Sequence, residues 1–299
     1  MILLIGLAAL AVHSHAQSVI TLTPSPNPPP GASRPGNHNF PSLAFEKSSF
    51  YAYAGNSTHP NLFSQALIDI LQSKDHYNAS QAAAVVKPHP PDPNGGLWGY
   101  SIGPSYFDAL ANFNSSKYIW MLPMAHAAGL HMGAEALTQA KLALRNIGSK
   151  LQLLELGNEP NLYHEQGMHG AQYDVARYLS EALQHEADIE GNVTAVKRVK
   201  YQALAYDSGV SHAVWNEEKA FGAGINRNAR IGSVSWHYYQ SVSSGGVTLR
   251  KTLMNHTATV TKLSRFIPNI RHLYNRNANL DFVLGEVGSV IGPELKWDV

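Results

Sequence analysis

The chain has 299 residues, no cysteine and a formal net charge of +1 at pH 7. Disulfide frameworks and cysteine-based metal or redox centres are therefore excluded, and the lack of any long basic run argues against a nucleic-acid partner. The length suits one large domain, since a single α/β barrel takes about 250 residues.

In chain order, residues 1–16 read as a signal peptide. Positions 2–12 are almost wholly apolar, and Ser14-His15-Ala16 is a small-x-small cleavage pattern. The run is shorter than the roughly 20 residues that span a bilayer. The expected product is therefore secreted and extracellular, with no membrane association once the leader is removed. Five Asn-x-Ser/Thr triplets, at Asn56, Asn78, Asn114, Asn192 and Asn255, agree with that route and are the expected N-glycan sites. Residues 17–40 form an extended, proline-rich segment with no room for a helix. The remainder, 41–299, is expected to be the catalytic domain.

Within that domain a short strand is predicted over 42–46, ending at Glu46. A helix is predicted over 61–74, where Leu62, Phe63, Ala66, Leu67, Ile70 and Leu71 form an apolar stripe. Residues 75–104 are rich in proline and glycine and read as irregular. A buried strand follows over 118–122, then a helix over 132–147 closed by Gly148. The apolar run 151–156 leads as a strand into Gly157-Asn158-Glu159-Pro160. A helix over 171–190 stops at Gly191. Strands recur over 199–205 and 231–236, a helical stretch over 257–275 is kinked at Pro268, and 281–284 is the last predicted strand. Strands alternating with helices argue for a parallel sheet. No Gly-x-Gly-x-x-Gly follows a first strand, so no dinucleotide fingerprint is present. The expected fold class is α/β, a (β/α)8 TIM-type barrel.

Two acids, Glu159 and Glu286, stand just past the predicted ends of strands, the end that forms the active-site mouth of a barrel. Their separation fits about three strand–helix units, so they come from different strands around one opening. Glycoside hydrolysis needs such a pair. One carboxyl protonates the leaving oxygen, and the other activates water or attacks carbon, depending on the gap between them. In that scheme Glu159 is protonated at rest and Glu286 is ionised. A lone glutamate at a strand end is usually a solvated loop acid, but Gly-Asn-Glu-Pro after an apolar strand is far more specific. The fifteen histidines invite a metal reading. However, His164 and His169 lie five positions apart, as do His126 and His131, so neither pair shares a helical face. No Gly-x-Ser-x-Gly elbow exists. No metal or cofactor is expected.

Leu156-Gly157-Asn158-Glu159-Pro160 resembles the acid/base motif of the clan A retaining glycoside hydrolases, which are built on (β/α)8 barrels. Further stretches are similar to glycoside hydrolase family 79, the fungal β-glucuronidase and heparanase relatives. These are Ala54-Gly55-Asn56 with Pro60-Asn61-Leu62-Phe63, Ile102-Gly103-Pro104-Ser105-Tyr106-Phe107, Trp236-His237-Tyr238-Tyr239 and Leu284-Gly285-Glu286-Val287-Gly288. The resemblance implies that Glu159 is the acid/base and Glu286 the nucleophile. It also implies that Asn158 donates to the sugar 2-hydroxyl and that Tyr239 hydrogen-bonds the nucleophile. Tyr238 competes for that last role, because strand alternation turns only one of the pair inward. His237 lines the pocket or packs in the core, and Glu46 resembles a sugar-contacting position. The implied substrate is a glycan bearing terminal glucuronic or 4-O-methylglucuronic acid, cleaved by double displacement. A heparanase-like endo-glucuronidase is the alternative.

The pattern departs from the family at two places. The family's Arg-Val/Ile-Gly-Gly strand has no counterpart between Lys74 and Asp75, and the eighth barrel strand and a C-terminal β-sandwich domain are not represented before Val299. The barrel is accordingly expected to be incomplete and truncated at its C-terminus. A catalytically inactive truncated fragment, with at most glycan binding, is the remaining alternative.

Overall fold

Short apolar runs flanked by turns, rather than strict alternation, suit strands whose two faces are both covered. The computed structural model bears this out over residues 100–291, apart from 114–115, 125–131, 171–172, 209–211, 243–246 and 277–279. It also describes 44–46, 54–55, 58, 70–72, 75–77 and 87–88. All of these lie in the compact unit Pro41–Val299. The leader, the proline-rich segment, Asn56, Asn78, Asn114, His126 and His131 lie outside the described residues.

The strands are β1 (Ala44–Glu46), β2 (Ile70–Gln72), β3 (Asp75–Tyr77), β4 (Lys87–Pro88), β5 (Tyr100–Ile102), β6 (Tyr118–Leu122), β7 (Leu151–Leu156), β8 (Lys200–Tyr206), β9 (Ile231–Val242) and β10 (Asp281–Ile291). The helices are α1 (Met132–Asn146), α2 (Val175–Asn192), α3 (Glu217–Gly222), α4 (His256–Leu263) and α5 (Ile267–Arg276). Seven strands form one sheet in the order β1-β2-β6-β7-β8-β9-β10, and every neighbouring pair is parallel. Cα atoms of β1 come back within 8 Å of β10, so the sheet curls toward closure. The seven parallel strands among the described residues form an incomplete TIM-type barrel. A small second sheet, β3-β5-β4, stands apart from it.

Several predicted elements are corrected. Residues 75–104, read as irregular, hold the short strands β3, β4 and β5. Residues 70–72 are not the end of a helix. They form the three-residue strand β2, which pairs β1 on one side and β6 on the other. The apolar stripe misled there because Ile70 and Leu71 satisfy a buried strand as well as a helix face. The helical stretch before Asn277 is two helices. It breaks at the 3₁₀ turn Ser264–Phe266, ahead of Pro268, whose missing N–H cannot serve the carbonyl of Ser264. Finally, β9 and β10 run well beyond their predicted ends, and β10 carries Glu286 within it.

Between the sheet and its helices lies an aromatic core. Trp120 stacks on Phe107 at 5.1 Å, and its indole N–H donates to Gln139 of α1. Tyr178 of α2 accepts the N–H of Leu204 and donates to the carbonyl of Leu156, tying the site ends of β7 and β8 together. Trp236 meets Tyr206 edge-on at 5.2 Å and packs on His212 at 4.3 Å. The Trp236 indole N–H donates to the carboxylate of Glu217 at 2.5 Å. No helix among the described residues is long and apolar enough to cross a membrane.

Glu217 makes this core pH-sensitive. Its side chain is fully buried on the outer side of β9, and burial pushes the carboxyl up to about 7 against the pull of the Trp236 hydrogen bond. A raised folded-state pKa stabilises below the unfolded value and loses that stabilisation as pH rises through the folded one. Stability is therefore expected to fall by about 3 kcal/mol between pH 4.5 and pH 7.5 from this group. Glu217→Gln keeps the indole acceptor, and should flatten that slope and raise Tm at neutral pH. Urea unfolding at the two pH values measures both, and an unchanged slope in the variant would clear Glu217 of the effect.

Candidate active site

Alternation along β9 sends Ser233, Ser235, His237 and Tyr239 to the barrel interior and Val234, Trp236 and Tyr238 to the helix side. Tyr238 packs edge-on against Phe266 at 6.1 Å. Tyr239 instead points inward, and its hydroxyl donates to Oε2 of Glu286 at 2.6 Å. The choice between the two tyrosines thus falls to Tyr239. On the neighbouring strand a bulge at Gly285 shifts the register, so that Glu286 stands opposite His237 and Gly288 opposite Tyr239. Glu286 does not follow the strand end, as expected from the sequence; the bulge re-aims it from within β10. Two glycines make this possible. A Cβ on Gly285 would collide with Ser235 Oγ, and a Cβ on Gly288 would sit 2.7 Å from the Tyr239 ring.

Glu159 is presented by a strained turn after β7. Gly157 has φ +83° and Glu159 itself has φ 49°, a left-handed conformation that costs a non-glycine residue about 1–2 kcal/mol. The turn is held across the sheet, because the N–H of Glu159 donates to the carbonyl of Ala205 at 2.9 Å. Its carbonyl accepts from Leu162 at 2.8 Å and opens the 3₁₀ turn Pro160–Leu162. At the end of β8, Leu204 and Ala205 also have positive φ. Backbone strain is thus concentrated where the carboxylate is aimed.

His237 joins the two acids. Its side chain is fully buried, and Nδ1 donates to Glu159 Oε1 at 2.8 Å while standing 3.5 Å from Glu286 Oε2. The three side chains offer ligand atoms within 4.8 Å of one another. Desolvation alone would lower the imidazole, but the Glu286 charge and the bond to Glu159 outweigh it, and His237 is pushed up to about 9. Burial pushes the Glu286 carboxyl up from its ordinary value; the His237 charge and the Tyr239 bond pull it down, while Glu159 and Asp207 add to the rise. Such a triad has the donor types of a cation site. Both contacts to Glu286 fall on Oε2, so among the described residues Oε1 carries none.

Asn158 is half-buried beside Glu159, with Oδ1 buried and unpartnered among the described residues. Glu46 closes β1, the strand that curls back toward β10, but its side chain lies outside the described residues. The near-miss zinc motif does not assemble: His164 is exposed, whereas His169 stacks on Tyr173 at 4.0 Å.

Several supporting residues escape a sequence reading. Asp207 follows the end of β8 and is clamped to Asn161 by two reciprocal hydrogen bonds of 3.0 Å, backbone to side-chain amide. An acid directly after an apolar strand was the available signal. Beneath the site Glu155 accepts from Gln202, which accepts from Ser233 at 2.8 Å, forming a buried polar chain across β7, β8 and β9. Nothing in local pattern distinguishes these from ordinary strand residues, since the partners are far apart in sequence.

No family model matches the chain. It is 29% identical to a β-glucuronidase of Aspergillus niger over 93% of its own length and 56% of that protein. To a β-glucuronidase of Neurospora crassa it is 28% identical, over 83% of this chain and 50% of the other. In fold it is similar to a 4-O-α-L-rhamnosyl-β-D-glucuronidase of Fusarium oxysporum, with TM-score 0.65 and 17% identity over 85% of this chain and 55% of that one. The chain spans about half the length of the curated relatives it matches. In sequence the chain is thus similar to two fungal β-glucuronidases over about half their length, and in fold it is an incomplete TIM-type barrel.

Proposed function

We propose that this chain is the catalytic part of a secreted retaining β-glucuronidase that releases terminal glucuronic or 4-O-methylglucuronic acid from glycans. The observation that carries the proposal is the carboxylate pair. Oxygens of Glu159 and Glu286 lie within 4.8 Å of each other. Retaining enzymes hold their carboxyls about 5–5.5 Å apart, whereas inverting enzymes need about 6.5–9.5 Å to admit a water. Glu286 attacks the anomeric carbon through Oε1, the oxygen that Tyr239 and His237 leave open. Glu159 gives its proton to the departing glycosidic oxygen, then takes one from the water that releases the sugar. Asn158 bonds the 2-hydroxyl, a contact that tightens toward the oxocarbenium-like transition state. His237 supplies positive charge beside the Glu286 carboxylate, which favours its ionised form.

The names of the relatives support the glucuronide as substrate class. The apolar leader and the triplets support secretion; of the latter Asn192 is exposed at the end of α2 and Asn255 caps α4. The test is hydrolysis of a chromogenic β-glucuronide by the secreted chain. Turnover supports the proposal. Binding of glucuronate without turnover would reduce the chain to a glycan-binding fragment, and cleavage of internal polymer bonds in preference to aryl glucuronides would favour an endo-acting enzyme. An enzymatic deglycosylation shift tests the glycans, and Asn192→Gln should reduce it.

A further inference from the structure

Glu159 sits on a turn with two left-handed residues, and such a turn keeps its shape only if its surroundings over-determine it. Two side chains, Met124 and Tyr163, pack against the turn at Gly157. Tyr163 lies four positions after Glu159 and is 2% exposed. Its hydroxyl accepts the backbone N–H of Asn158 at 3.3 Å. The same oxygen fills the space over Gly157, where a Cβ would stand only 2.8 Å from it. The tyrosine is itself fixed at both ends. Its backbone N–H donates to Pro160, and its carbonyl accepts from Met168 at 2.7 Å and His169 at 3.1 Å. The ring packs against His169 at 5.6 Å and Tyr173 at 5.5 Å. Tyr173 then donates to Glu181 of α2 at 3.2 Å, and Arg177 holds the same carboxylate at 2.7 Å. An aromatic stack thus runs from a helix to the underside of the acid/base turn.

We propose that Tyr163 is a positioning residue for the acid/base: its hydroxyl, braced by His169 and Tyr173, fixes the 157–159 turn and so the direction of the Glu159 carboxyl. This rests on the reading of Glu159 as the proton donor. The role differs from that of the substrate-facing groups, because Tyr163 acts through the Asn158 amide and never meets the sugar.

The variant is Tyr163→Phe in the full chain, which keeps the ring and removes only the oxygen. Two readouts separate positioning from stability. The first is kcat on aryl β-glucuronides with poor and with activated leaving groups. Only the poor ones need full protonation by Glu159, so a loss of about tenfold is expected on them and less than about twofold on the activated ones. The second is amide hydrogen exchange of the peptide covering 156–163, which should accelerate about tenfold while the unfolding midpoint stays within a few degrees. Equal losses on both substrate types, or unchanged exchange, would overturn the proposal, as would loss of cooperative unfolding in the variant. If the wild-type chain turns nothing over, the glucuronidase reading fails on its own, and the exchange measurement still decides whether Tyr163 fixes the turn.

Discussion

Glu286→Ala is expected to lower kcat/KM on an aryl β-glucuronide by at least about 10⁴-fold, with the fold intact. The size follows from the role. Oε2 of Glu286 is held by Tyr239 at 2.6 Å and lies 3.5 Å from His237, and these contacts aim the other oxygen. Removing the carboxylate removes the covalent step itself, while Glu159 stays on its own turn. The alanine also leaves a hole on the face opposite the leaving group. Azide is small enough to enter it and should restore turnover of an activated glucuronide, giving the α-configured glucuronosyl azide by a single inversion. The wild-type enzyme should in turn release the β-anomer first, which NMR of the early product reads directly. Early release of the α-anomer by wild type would mean that the pair acts through water, and the retaining mechanism would be abandoned.

The second large effect belongs to His237. Its imidazole is held near 9 chiefly by the Glu286 charge and the hydrogen bond to Glu159, working against its burial. The sign is fixed by that shift. A histidine raised from 6.5 contributes stability that is complete below about 6.5 and is lost as pH rises through about 9. His237→Asn removes the positive charge that stands 3.5 Å from the Glu286 carboxylate. Breaking a buried charge pair by deleting one partner typically costs about 3–5 kcal/mol, because the remaining charge is left uncompensated. The charge of His237 also lowers the Glu286 carboxyl, so its loss lets burial and Glu159 push that group further up. The ionised nucleophile then forms only at higher pH. We expect kcat/KM to fall by about 100-fold at neutral pH and its acid limb to move to higher pH. A pH profile of kcat/KM for the two proteins is the check. An unmoved acid limb would show that His237 does not set the ionisation of Glu286, whatever the loss of rate.

What the linear chain reveals about this site is uneven, and the reason is range. Gly157-Asn158-Glu159-Pro160 is a local device: a strand, a glycine that can take positive φ and a proline that starts the 3₁₀ turn are all adjacent in sequence. The helices 132–146 and 175–192 were similarly legible, because an apolar face repeats within each of them. Their ends were legible where Gly148 takes its left-handed turn. Residues 70–72 were not, since three apolar-rich positions serve either period and only pairing with β1 and β6 decided for a strand.

By itself, then, the sequence determined the strand–helix alternation, the two carboxylates and the motif that carries each. Only the tertiary structure decided how they meet. It placed a bulge at Gly285 that brings Glu286 opposite His237, chose Tyr239 over Tyr238, and set one imidazole between two acids that stand 78 and 47 or more residues from their β9 partners in sequence. The physical reason is that side-chain direction in a strand depends on register with a neighbour, and register is a property of two segments that no single segment encodes.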